Sequence, residues 1–280
     1  MQTLLRVCAM MLACALPQVT FGASDDGARV ALALRQATLV QGMSASACFA
    51  MGGVDAQRQG ARALELSDTY RTTLGALRDG HDWLGLTPVS DASSLAAIET
   101  ASHVWRGYVP SIRQIIAGDL HSVVMRHIMI ETDLVTDSAN SLAAHFLDNS
   151  ADLKLSEDAA RAAQAAASVR MLTQRALREG CYVRFALGGD EMRTQLVHTL
   201  RQIDTLFVRL AEGDAELAPP PDARVARNFR TAQLFWSKMR PTLDAMHAGE
   251  AVDDITVQKM LKLNTSVLKQ MDQAVDGYFK

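Results

Sequence analysis

Residues 165–181 read AAASVRMLTQRALREGC. Alanine, leucine, methionine, glutamine and arginine are all good helix formers, so the stretch reads as helix. It also sets Arg170 and Arg175 in a run of small apolar residues suited to burial. A buried charge is costly unless something pairs with it, so the arginines need partners or a ligand. The helical pattern extends along the whole chain, and alternating β-branched runs are nearly absent. Gly80, Gly118, Gly213 and Gly249 each follow a periodic segment, as C-terminal helix caps do. Ser90 or Asp91, Ser156 and Asp222 are placed as N-caps. Loops are read at 84–91, 149–150 and 216–222. The pattern predicts eight helices, at 26–51, 55–79, 91–117, 120–148, 156–187, 190–212, 223–248 and 252–279. The expected fold class is all-α.

The first residues, MQTLLRVCAMMLACALPQVTFGAS, carry one basic residue, Arg6, then an apolar run from Val7 to Leu16. Small residues follow at Gly22 to Ser24. This is the layout of a secretory signal peptide, read here as residues 1–23, and the run is too short to span a membrane. Cys14 follows Leu12 and Ala13, which leaves a lipoprotein reading open beside cleavage near residue 23. The expectation is a periplasmic, exported protein. Without the leader, 27 basic residues stand against 31 acidic ones, a net charge of −4. That balance gives no reason to expect nucleic acid as a partner. Of the four cysteines, Cys48 and Cys181 lie beyond the leader. In an oxidising compartment they are read either as a disulfide or as two buried thiols.

The chain repeats itself. Trp105 stands five residues before Pro110, and Trp236 five before Pro241, 131 residues on. RQATLVQGMSASACF (35–49) answers SVRMLTQRALREGCY (168–182) at a spacing of 133, which brings Cys48 onto Cys181. ETDLV (131–135) answers NTSVL (264–268) at 133 as well. Two tandem four-helix-bundle repeats are therefore expected, over residues 24–149 and 150–280. Trp105 and Trp236 are read as core aromatics, and Pro110 and Pro241 as kinks in the third helix of each repeat.

SVRMLTQRALREGC resembles the motif of the PilJ-type domain, the N-terminal domain of type IV pili methyl-accepting chemotaxis transducers. It is also similar to the periplasmic sensor domain of NarX-type nitrate/nitrite histidine kinases. The family motif is a helix carrying Arg-Gln-Arg-Met-Leu-Ser-Gln-Arg. Arg170, Met171, Leu172, Gln174 and Arg175 match it, Thr173 replaces the serine, and Ser168 and Val169 depart from its start. In the first copy Arg35, Gln36, Leu39, Gln41 and Met43 match, but Ala37 and Gly42 stand where the two inner arginines would be. The resemblance implies four-helix bundles that sense small ligands outside the cytoplasm. In NarX-type sensors the first helices of two subunits meet, and an arginine from each clasps nitrate or nitrite. It implies a membrane signal transducer or a pilus component as partner, and it leaves open whether two chains form a homodimer.

Helix geometry places Arg170, Gln174, Leu177 and Cys181 on one stripe, and Ala37, Gln41, Ser44 and Cys48 on the matching stripe of the first repeat. A Cys48–Cys181 bond would turn these stripes together, with Arg170 looking toward Ala37 and Gln41. A guanidinium between two amides suits a small planar anion. The candidate ligand-binding residues are therefore Arg170, Gln174, Gln41, Met171 and Arg175. Arg175 is also read as turning to a carboxylate of its own bundle, and a structural role for both arginines stays open beside the ligand role.

Catalytic motifs are lacking. The seven histidines form no i, i+4 pair, and no H-E-x-x-H, C-x-x-C-H, G-x-S-x-G or phosphate-binding glycine loop occurs. No cofactor or metal is expected, and the protein is not expected to be an enzyme. Two functions remain: a stand-alone sensory or binding domain for a small oxyanion such as nitrate or nitrite, signalling through a membrane partner, or a ligand-free helical adaptor associated with a type IV pilus or chemotaxis transducer.

Overall fold

The first helix, α1 (Asp25–Met51), has no polar face: 22 of its 27 residues are buried. A helix that is apolar all round has to lie inside the molecule. The computed structural model describes residues 25–118, 122–150, 153 and 155–279. The leader read at 1–23, Cys14 included, lies outside these residues. Among the described residues are eight α-helices and one short 3-10 turn, so the fold is all-α. After α1 come α2 (Ala56–Asp79), α3 (Ala92–Ile116), α4 (Ser122–Asp148), α5 (Glu157–Arg184), α6 (Gly189–Glu212), α7 (Ala223–Ala248) and α8 (Asp254–Tyr278). No described helix is long and apolar enough to cross a membrane.

The ends follow from local chemistry. The Asp91, Ser156 and Asp222 side chains each accept a backbone N–H in the first turn of α3, α5 and α7. Asp253 does the same for α8. Helix α5 stops at Arg184, three residues before the expected 187. Ala186 takes a positive φ of 56°, its N–H bonding to the Val183 carbonyl and that of Leu187 to the Tyr182 carbonyl. This is the closing turn that glycine usually provides, and an alanine there gave no signal in the sequence. Pro110 and Pro241 lie inside α3 and α7.

Helices α1–α4 pack among themselves, as do α5–α8, and α1 lies along α5. The buried positions from Gln59 to Leu77 of α2 recur 133 residues later from Met192 to Leu210 of α6. Those of α3 from Ile98 to Ile115 recur in α7 from Phe229 to Met246, 131 residues on. The buried faces of α4 and α8 match at 132, from Ile128 to Phe146 and from Met260 to Tyr278. The ETDLV and NTSVL spacing of 133 is therefore one residue off the packing register. Of the tryptophans, Trp105 stacks on Tyr70 at 4.3 Å, and Trp236 donates its ring N–H to Asp204 at 2.7 Å.

Helices α1 and α5 run parallel. Gly42 lies against Gln174, Ser44 bonds Tyr182, and Cys48 is bonded to Cys181 with a Cα–Cα distance of 6.3 Å. Small residues allow the approach. A Cβ on Gly42 would come within 3.3 Å of the Gln174 side chain and 3.2 Å of Leu66. On α5, Ala162, Ala163, Ala166 and Ala167 are all buried.

The disulfide closes a segment of 133 residues, for which chain entropy sets a ceiling of about 5 kcal/mol. Reduction should lower the thermal midpoint, by up to roughly 10–20 °C for a chain of this size. Calorimetric scans with and without reductant check this, and Cys48→Ala with Cys181→Ala should make the midpoint insensitive to reductant.

Candidate functional site

Arg170 is 2% exposed. One of its amino groups donates to Asp272 of α8 at 2.6 Å, while Nε and the other amino group have no hydrogen-bond partner. Arg35, from α1, stands 3.7 Å from the second oxygen of the same carboxylate. Two guanidiniums, one from each half of the chain, thus share one buried-edge carboxylate. Burial, with the like charge of Arg170 beside it, draws the Arg35 pKa below the ordinary guanidinium value, while Asp272 acts in the opposite sense. Asp272 is the counter-charge common to both arginines.

A second buried cluster lies nearer the disulfide. Arg178 is 1% exposed and donates to Asp133 of α4 at 2.9 Å. Glu179 is fully buried, 2.7 Å from Arg175 Nε and 3.8 Å from Arg178. Tyr182 bonds Ser44 at 2.9 Å, Ser44 bonds Thr132, and Thr132 bonds Tyr108 at 3.0 Å. Burial raises the pKa of Tyr182 and Tyr108 above the ordinary phenol value, so both stay neutral hydroxyls in this chain of bonds. Sequence reasoning passed over Arg178 and Glu179. Their signal was weak: three residues put Arg178 about 60° from Cys181 around the helix, but two put Glu179 about 160° away, on the opposite face.

The expected convergence of Arg170, Gln41 and Gln174 does not occur. Arg170 turns to Asp272 on α8, whereas the Gln41 amide donates to Thr136 of α4 at 2.9 Å. Three-turn stripe geometry places Cα positions, but a long arginine follows its counter-charge rather than its stripe. Arg175 pairs with Glu179 one turn on along its own helix. Met171 is half-buried and packs on the core. Gln174 lines a different feature, a groove of about 550 Å³.

That groove runs between α2 and α8, with α1 and α5 as its floor. Gln59, Gln174 and Asn264 present carboxamides to it, each at least nine-tenths buried. The Asn264 carbonyl oxygen has no hydrogen-bond partner. The charged lining is Arg58, Arg62 and Lys262 with Asp55 and Glu65. Arg62 is paired with Glu65, whereas Arg58 and Lys262 enter no ion pair among the described residues. Leu66, Leu177 and Leu268 supply apolar walls. Its size lies within the range of small-molecule pockets, and its chemistry suits a small polar ligand with negative charge.

Compared with known proteins, the chain matches no family model, no curated protein and no solved structure.

The shared carboxylate makes a definite prediction about stability. Asp272→Asn removes the counter-charge and leaves Arg170 buried without an anion, which should cost about 3–5 kcal/mol. Arg170→Met combined with Asp272→Leu should recover most of that loss, because neither charge is left buried alone. Urea unfolding of Arg170→Met, Asp272→Leu, the double variant and the parent closes the cycle, with Asp272→Asn measured beside them.

Proposed function

We propose that this chain is an exported sensory or binding domain, not an enzyme, built as two tandem four-helix units. In this reading it takes a small anion in the α2/α8 groove and passes its state to a membrane partner. The observation that carries the reading is the groove itself: buried carboxamides whose N–H groups can donate, with Arg58 and Lys262 at the rim in no ion pair among the described residues. The recurrence of buried positions between the halves supports duplication. The motif resemblance to PilJ-type and NarX-type domains supports a role outside the cytoplasm and makes nitrate or nitrite the first ligands to try. The groove is large for such ions, so small carboxylates belong beside them.

A second reading has its own observation. Asp272 already holds the two arginines that the resemblance would assign to a ligand. A helical adaptor that kept the fold and filled its anion site from within, serving a pilus component or chemotaxis transducer, would look the same at that point.

Ligand binding stabilises a native state by about 2.7 kcal/mol at a hundredfold excess over the dissociation constant. For a chain of this size that is a midpoint shift of about 5–10 °C. Sodium nitrate, nitrite and a series of small carboxylates, each against matched sodium chloride, should reveal it in a thermal-shift assay. Arg58→Ala with Lys262→Ala should abolish the shift and leave the ligand-free midpoint nearly unchanged. Arg170→Ala should lower the midpoint with and without ligand. An unmoved midpoint across the series would put the adaptor reading first.

A further inference from the structure

The α2/α8 groove has a counterpart on the other flank of the α1–α5 pair, between α4 and α6, with a volume of about 390 Å³. The repeat register relates the two. Adding 133 to Arg58 and Gln59 of α2 gives Glu191 and Met192 of α6, and subtracting 132 from Leu261 and Lys262 of α8 gives Met129 and Ile130 of α4. The chemistry at these positions has diverged. A cation and an amide on α2 answer to a carboxylate and a thioether on α6, and Lys262 answers to isoleucine.

We propose that this α4/α6 face is a docking surface for a basic, amphipathic helix of a partner protein. It rests on the partner half of the reading above, and the ligand half can fail without touching it. The apolar part is Ile130 and Leu134, one turn apart on α4 and 57% and 58% exposed. Half-buried Met129 stands beside them, and methionine adapts to varied apolar partners. Asp133, Asp137 and Glu191 line the same groove, with Arg178 as its one cation. Arg178 is buried and already paired with Asp133, so the accessible charge is negative.

Charge complementarity selects the occupant. An apolar stripe flanked by lysine or arginine would seat on Ile130 and Leu134 and meet Asp137 and Glu191 at the rim. A second copy docked by two-fold symmetry would bring carboxylate against carboxylate. An anionic membrane surface would be repelled by the same groups. The face also overlies the Arg178, Tyr182 and Ser44 bonds that link α4, α5 and α1, so an occupant would press on the junction of the two halves.

The test uses the intact, disulfide-bonded chain. The probe is a fluorescein-labelled 18-residue peptide of leucine, alanine and lysine, with leucines at helical spacing; its control carries glutamate for every lysine. Anisotropy titrations should show binding of the lysine peptide, weakened by salt, and none of the glutamate peptide. Ile130→Ser with Leu134→Ser, and separately Asp137→Lys with Glu191→Lys, should each raise the dissociation constant at least about tenfold. These positions are exposed, so an unchanged thermal midpoint verifies the fold of each variant. Leu234→Ser, an exposed apolar residue of α7 outside both grooves, should leave the affinity unchanged. The proposal is overturned if the lysine peptide does not bind, if the glutamate peptide binds as well, or if either pair of variants binds like the parent. It is overturned too if the chain alone forms dimers that Ile130→Ser with Leu134→Ser disperses. A failed anion shift with successful peptide binding separates the ligand reading from this one.

Discussion

Helix α1 cannot meet water on any side, and that constraint organises the molecule. Its apolar surface has to be covered by α2, α4 and α5 together, which puts α1 and α5 side by side at the centre. Close approach requires small side chains at the contact, and Gly42 and the alanines of α5 supply them. The Cys48–Cys181 bond then ties the C-terminal part of α1 to that of α5. Once the pair is set, the second helix of one half and the fourth helix of the other stand on either flank. Each flank leaves a groove between them, so the two clefts follow from covering one apolar helix pair.

The charges inside this arrangement obey a single rule. Arg170, Arg178 and Glu179 are almost wholly buried, and each has an opposite charge within 4 Å. Burying one without its partner would cost several kcal/mol. Internal pairing also removes Arg170 from the list of groups free to greet a ligand, because Asp272 already holds it. Arg58 and Lys262, by contrast, stand at the exposed rim of the α2/α8 groove, where water screens their charge.

Much of the fold was legible along the chain because helix ends are local chemistry. A side chain at residues 91, 156 or 222 caps a backbone N–H three positions on, and a glycine ends a helix by its own conformation. The early end of α5 escaped notice because Ala186 does a task usually left to glycine. The site was far less legible. Arg170 and Asp272 are 102 residues apart, and Arg178 and Asp133 are 45 apart. Nothing in the spacing of a single helix tells an arginine which neighbour holds its counter-charge. Gln41 and Gln174 occupy matching places in the motif, yet one bonds Thr136 and the other lines a groove.

By itself, then, the sequence determined the all-α class and the order and near-exact limits of the helices. Those properties depend on propensity, capping and periodicity, which act within a few residues. Only the tertiary structure decided which arginine meets which carboxylate, that Asp272 stands between Arg35 and Arg170, and that the two flanking grooves carry opposite charge. These depend on where long side chains from distant helices end, and the energy that chooses among them is the electrostatic cost of leaving any buried charge alone.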